Sequence, residues 1–119
     1  MKKILIILIF LTYTKLAFSK DQFASWGFIA LDCNQIQNTK QRFGEEFILA
    51  LLSSVQGYMT GLNAAKIKNK GKNAILKNLN YHSFEALERY LMNYCDDLPN
   101  SNITKAADNY YKELPNLSE

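Results

Sequence analysis

Few side chains in this sequence could carry out chemistry, and the two cysteines are the most informative of them. Cys33 and Cys95 lack the Cys-x-x-Cys spacing of a redox dithiol. With the single histidine, His82, they do not form the paired spacing that zinc sites require. In an oxidising compartment two such cysteines usually form one disulfide, here closing a loop of about 60 residues and stabilising the fold by about 4 kcal/mol. We therefore predict a Cys33–Cys95 bridge, no metal site and no cofactor.

The other candidates for catalysis are His82, two adjacent serines and three acidic pairs. No nucleophile or carboxylate stands at a meaningful spacing from His82, so we interpret it as exposed or capping. Ser53 and Ser54 lack a Gly-x-Ser-x-Gly setting, and there is no glycine-rich phosphate loop. Solvation explains the acidic pairs better than acid–base catalysis does. These pairs are Glu45 with Glu46, Glu85 with Glu88, and Asp96 with Asp97. We predict no catalytic residue and a protein that is not an enzyme.

The N-terminus has the pattern of a secretory signal peptide. Two lysines follow Met1, an apolar run covers residues 4–11, and Ala17-Phe18-Ser19 supplies small residues before a cleavage site at Lys20. The alternative is a retained membrane anchor, but a span needs about 20 apolar residues and this run is much shorter. We predict that residues 1–19 are removed near Ser19, and that residues 20–119 form one periplasmic domain with no membrane span.

Cleavage there would change the charge of the protein. It would remove three lysines and no acidic residue, so the 14 basic residues would fall to 11 and equal the 11 acidic residues. A neutral chain gives no reason to predict nucleic-acid binding. Five lysines nevertheless crowd one segment, without interleaved aromatic residues: Lys66, Lys68, Lys70, Lys72 and Lys77. This segment is either a solvated loop or a docking site for an acidic partner or phospholipid head groups.

Length and periodicity predict one all-α domain. The chain has 119 residues, and its 21% charged and 13% aromatic residues exclude a disordered tail. Polar residues 34–41 indicate a turn or weak helix that breaks at Gly44. From Glu45 to about Lys66, apolar residues recur every three or four positions on a broad arc, as in a central bundle helix. We expect about four helices and one disulfide.

The rest of the chain divides into a loop and two shorter helices. Residues 67–80 read as a loop that apolar residues 74–76 and Leu79 pin to the core. Ser83 is the predicted N-cap of a helix that runs through Cys95. A last helix begins at Ser101 or Asn102, and we expect ordered structure to end at Pro115. The seven tyrosines indicate either amphipathic packing or a binding surface.

The sequence Gly57-Tyr58-Met59-Thr60-Gly61 is the most distinctive feature of the central helix. Each helical glycine costs up to about 1 kcal/mol relative to alanine, so some contact should compensate. Either another helix or the N-terminal segment packs closely there, or a ligand or partner rests on the glycine face. Polar neighbours such as Gln56 and Asn63 argue against a membrane-dimer motif.

Two families of small periplasmic proteins resemble this chain. Trp26, Cys33 and Cys95 are similar to the tryptophan and bridging cysteines of the HdeA/HdeB-like acid-stress chaperones. Gly57, Tyr58 and Gly61 resemble the Gly-Tyr-x-x-Gly helix of the periplasmic immunity proteins that neutralise type VI secretion effectors. Both resemblances imply a helical protein that binds another protein, and they assign packing or partner contact to Gly57, Tyr58, Gly61 and Trp26.

The sequence therefore predicts an exported, non-enzymatic protein that acts by binding a protein. An HdeA-like stress chaperone is the first expectation and an immunity protein the alternative; a structural protein of the envelope is a third. An acid-activated chaperone must loosen as its carboxylates are protonated, which would leave the 11 basic residues and His82 with a charge of about +12. An immunity protein instead keeps a rigid, preformed surface. The expected partner is a client, an effector or a second copy in a homodimer.

Overall fold

Three α-helices form most of the protein in a computed structural model that describes residues 27–118. They are α1 (Ile36–Lys70), α2 (Phe84–Asp97) and α3 (Ile103–Glu113), with short 3-10 helices at Phe28–Ala30, Cys33–Gln35 and Gly71–Asn73. Within residues 27–118 there is no strand, only isolated bridges between Asp32 and Asn102 and between Lys77 and Asn116. The all-α prediction is confirmed. The predicted signal peptide and Trp26 lie outside the described residues.

The prediction of about four helices is wrong, because the weak helix predicted at residues 34–41 is continuous with the central helix across Gly44, and the segment before it forms two 3-10 turns. Backbone hydrogen bonds divert the chain between these turns. Cys33 N donates to Ser101 O at 2.9 Å, and Ile103 N donates to Leu31 O at 3.0 Å. These bonds hold the backbone extended at Asp32, which a helix would not allow. The segment still packs onto the body, since Ile29 is buried.

Glycines break α1 and end it. Gly44 has φ 65° and ψ −148°, in a region that favours glycine, so the predicted break is confirmed. The helix continues past Lys66 to Lys70, and Gly71 at φ 57° ends it. The loop predicted to begin at residue 67 therefore begins only at Gly71.

The core lies between the inner faces of the three helices. The residues of α1 buried there are Ile36, Phe47, Ile48, Leu51, Leu52, Val55 and Met59. Leu87, Leu91 and Cys95 come from α2, while Ile103, Ala106, Ala107, Tyr110 and Tyr111 come from α3. The apolar arc predicted for the central helix is largely buried, although Ala65 near its end is exposed. Ser83 and Asn102 are the N-caps, accepting hydrogen bonds from Ala86 N and Lys105 N.

The predicted disulfide is confirmed. Cys33 and Cys95 are bridged with a Cα–Cα distance of 4.9 Å, and both are buried. The bridge connects the second 3-10 turn to the last turn of α2. It therefore holds the N-terminal part of the described residues against α2.

The loop after α1 is held along that helix as a clasp segment, residues 74–79. Side chains of α1 donate hydrogen bonds to alternate carbonyls of the segment: Lys66 to Ile75 O at 3.2 Å, Asn63 to Lys77 O at 2.9 Å and Gln56 to Leu79 O at 3.4 Å. The other edge of the clasp segment pairs with the C-terminus. There Asn78 N donates to Pro115 O at 2.9 Å and Leu117 N to Leu76 O at 2.7 Å. Order therefore continues past Pro115, contrary to the prediction.

No helix within residues 27–118 is long and apolar enough to cross a membrane.

Candidate protein-binding surface

Helices α2 and α3 bring aromatic side chains together on one side of the protein, in a group that we call the tyrosine face: Tyr81, His82, Tyr90, Tyr94 and Tyr110. The Tyr90 ring lies 4.9 Å from the Tyr110 ring and 6.4 Å from that of Tyr94, measured between centroids. The His82 ring lies 4.6 Å from Tyr81 and 5.9 Å from Tyr110. Tyr90 and Tyr94 stand one helical turn apart on α2, so the helix period places them side by side.

A cleft of about 290 Å³ opens at this face. Its lining consists of aromatic, charged and amide side chains and one alanine: His82, Ala86, Arg89, Tyr90, Asn93, Tyr110 and Glu113. Arg89, Asn93 and Glu113 are exposed, whereas Tyr90 and Tyr110 form its more buried wall. The cleft therefore combines aromatic surface with a hydrogen-bonding rim.

A larger cleft of about 510 Å³ adjoins the same face and shares Tyr94. It lies over the turn between α2 and α3 and includes Leu98, which is half exposed, and Lys105. The Tyr94 hydroxyl is hydrogen-bonded to the Ser101 hydroxyl at 2.9 Å, which fixes the ring at the edge of this cleft.

The surroundings of Tyr90 and Tyr110 favour the protonated form of their hydroxyls. Burial raises the pKa of Tyr90 to about 12, assisted by the nearby Glu113 carboxylate, to which its hydroxyl donates at 3.4 Å. Burial and the Glu113 charge also raise the pKa of Tyr110. Both hydroxyls therefore stay protonated at neutral pH, which suits recognition and not general-base or nucleophilic chemistry.

The structure does not bring the predicted site residues of α1 together. Tyr58 points inward, and its hydroxyl donates to Asp108 Oδ1 at 2.7 Å, joining α1 to α3. Burial raises the pKa of Tyr58 to about 12, and Asp108 adds to the shift. Gly57 and Gly61 are exposed, and a Cβ added to either would meet no atom within 4 Å. The close approach of another helix, one of the predicted alternatives, is not found within residues 27–118.

The candidate acid–base and nucleophilic residues are also apart. Ser54 donates to Ala50 O at 2.8 Å within its own helix. Glu88 forms an exposed ion pair with Lys40 at 3.8 Å. Among residues 27–118 no group of three or more His, Cys, Asp or Glu side chains could hold a metal ion.

The sequence indicates packing or a binding surface for the seven tyrosines as a group, without showing that Tyr90 and Tyr94 share one surface with Tyr110. Their spacing of four on a helix was the available signal. What the spacing could not show is that α3 presents Tyr110 beside Tyr90, or that the His82 ring lies against Tyr110.

Comparison of the chain with protein-family models, with curated proteins and with solved structures gives no match.

Proposed function

We propose that this protein is exported to the periplasm and acts, without catalysing a reaction, by binding another protein at the tyrosine face. The observation that carries the proposal is the cleft in which Tyr90 and Tyr110 lie beside Arg89. Tyrosine and arginine, with tryptophan, are the residues that contribute most of the binding energy in protein interfaces. The larger cleft, which Tyr94 lines, would extend that contact area.

Export is proposed from two features. Residues 1–19 have the signal-peptide pattern, and the Cys33–Cys95 disulfide is typical of an oxidising compartment. Mass spectrometry of the protein isolated from cells would test this part. A chain beginning at Lys20 is expected, and a chain that retains Met1 would contradict it.

The immunity class suits the arrangement best, because its members bind through a preformed surface. Covalent and hydrogen-bonded ties hold α2 and α3 in place: the disulfide, the bond between Tyr94 and Ser101, and that between Tyr58 and Asp108. A face fixed in the free protein loses little conformational entropy on binding.

The HdeA-like stress chaperone is the second candidate. What favours it is charge: protonation of every carboxylate would leave the processed chain at about +12, and self-repulsion of that size loosens compact proteins. Such a protein would expose its core at acid pH and suppress client aggregation there.

The direct test measures the affinity for the product of a neighbouring effector gene. The double variant Arg89→Ala/Asn93→Ala should weaken binding at least about 30-fold, because truncating an arginine at an interface hot spot costs about 2 kcal/mol or more. The matched control is Arg42→Ala/Asn38→Ala, the same pair of exposed residues four apart on α1. Equal affinities of the two double variants would contradict the assignment of the tyrosine face.

A further inference from the structure

The far end of α1 carries a surface that the proposed function does not use, the basic tip: Ile67, Lys68, Lys70, Lys72, Ile75 and Leu117. Its three aliphatic side chains are 50%, 63% and 54% exposed, respectively. Ile75 and Leu117 line one shallow hollow of about 220 Å³, and the bond from Leu117 N to Leu76 O holds them together. Ile67 lies one turn beyond Asn63 on the helix face that carries the clasp segment.

The end of α1 and the loop after it carry charge of one sign; Glu119, which follows Leu117 and Ser118 in the sequence, lies outside the described residues. Between Glu46 and Glu85 the sequence has five lysines and no acidic residue. Two of the five make contacts within the chain: Lys66 Nζ lies over the Tyr111 ring at 5.0 Å, and Lys77 Nζ donates to Leu114 O at 2.7 Å. Lys68, Lys70 and Lys72 are exposed and form no ion pair with another residue in the part of the chain that the structure describes. The Glu113 carboxylate accepts a hydrogen bond from Tyr90 at the tyrosine face.

We propose that the basic tip docks on an anionic phospholipid bilayer. Exposed aliphatic side chains at a lysine-rich end of the molecule match the two parts of a lipid surface, because the aliphatic groups enter the acyl boundary and the ammonium groups stay among the phosphates. An acidic protein partner fits less well. Within the described residues the tip has no arginine and no exposed aromatic side chain, which are the usual anchors of protein interfaces.

Vesicle co-sedimentation tests the lipid-binding proposal. The protein is isolated from cells, and its N-terminus is determined by mass spectrometry. Phosphatidylcholine vesicles with and without phosphatidylglycerol are the probes. Binding only to the anionic vesicles, weakening as salt rises, is expected. Lys68→Gln/Lys70→Gln/Lys72→Gln should reduce the partition coefficient at least about ten-fold, since each lysine contributes measurably at an anionic surface. Ile75→Ser/Leu117→Ser should also reduce it.

Matched controls separate the tip from general electrostatics. Lys40→Gln/Arg42→Gln/Lys105→Gln removes the same charge elsewhere and should retain binding. Three results would overturn the proposal: no binding to anionic vesicles, equal losses in both charge variants, or binding to an acidic peptide such as polyglutamate but not to vesicles. Arg89→Ala/Asn93→Ala, which tests the tyrosine face, should bind vesicles normally, so the two proposals fail independently. Circular dichroism confirms that each variant is folded.

Discussion

Asn63 joins three separate parts of the chain through one side chain. Its Oδ1 accepts from Lys77 N at 3.0 Å and from the Tyr111 hydroxyl at 2.7 Å, while its Nδ2 donates to Lys77 O. Asn63→Ala should therefore lower the free energy of unfolding by about 2–4 kcal/mol, because part-buried polar groups lose their partners. Chemical denaturation measures this. Asn69→Ala, at an exposed position of the same helix, should change stability by less than about 0.5 kcal/mol, and similar losses in both variants would contradict the role of Asn63.

Because of Tyr58 and Tyr90, the free energy of unfolding should depend on pH in the alkaline range. Their pKa values rise from 10.0 to about 12 in the folded protein. The folded state therefore holds these protons more tightly than the unfolded chain, and the stabilisation is complete below pH 10 and lost as the pH rises through about 12. Denaturation midpoints should fall over that range, less steeply in Tyr58→Phe/Tyr90→Phe. Tyr81→Phe removes an exposed hydroxyl, so its denaturation midpoints should depend on pH as those of the unsubstituted protein do. If the midpoints of the double variant fell as steeply as those of the unsubstituted protein, this explanation would be excluded.

At the scale of elements, the glycines of α1 divide into two kinds. Gly44 has a backbone conformation that alanine rarely adopts, so Gly44→Ala should destabilise the protein by about 1–3 kcal/mol despite the open space around it. Gly57 and Gly61 are helical and open, so Gly57→Ala and Gly61→Ala should each stabilise by about 0.5–1 kcal/mol. Thermal unfolding of the three variants measures the contrast. Destabilisation by Gly57→Ala would mean that a contact from outside residues 27–118 covers this strip.

The same elements show which features of the fold can be predicted from the sequence. Helix boundaries were predictable at Ser83, Asn102 and Gly44, because helix capping and glycine backbone conformation are local effects. The structure confirms all three boundaries. Contact of Leu79 with the core was predicted and is confirmed, but the backbone pairing of the clasp segment was not predictable. Its order depends on side chains of α1 that lie 9 to 23 positions away and on the C-terminus, and neither leaves a local pattern. The tyrosine face could not be predicted for the same reason, since Tyr90 and Tyr110 meet only when α2 packs on α3.

At the scale of the whole molecule, the fold depends little on ionised carboxylates. Among the described residues no charged side chain is buried, and the ion pair between Lys40 and Glu88 is a surface contact. A protonated Asp108 or Glu113 can still accept the hydrogen bond from Tyr58 or Tyr90. Charge repulsion at about +12 destabilises the packed state, while the disulfide limits how far the chain can expand. We expect the helical body to remain packed in acid.

Near-ultraviolet circular dichroism of the tyrosines, recorded from about pH 7 to about pH 2, tests most directly whether the tyrosine face is preformed and persistent. The spectrum reports the fixed packing of aromatic rings, which a molten state loses while it retains far-ultraviolet signal. The structure predicts that the tyrosine signal persists in acid and that no protection of aggregating clients develops. Loss of that signal with retained helicity, accompanied by client protection, would contradict a preformed binding face and favour the acid-stress chaperone.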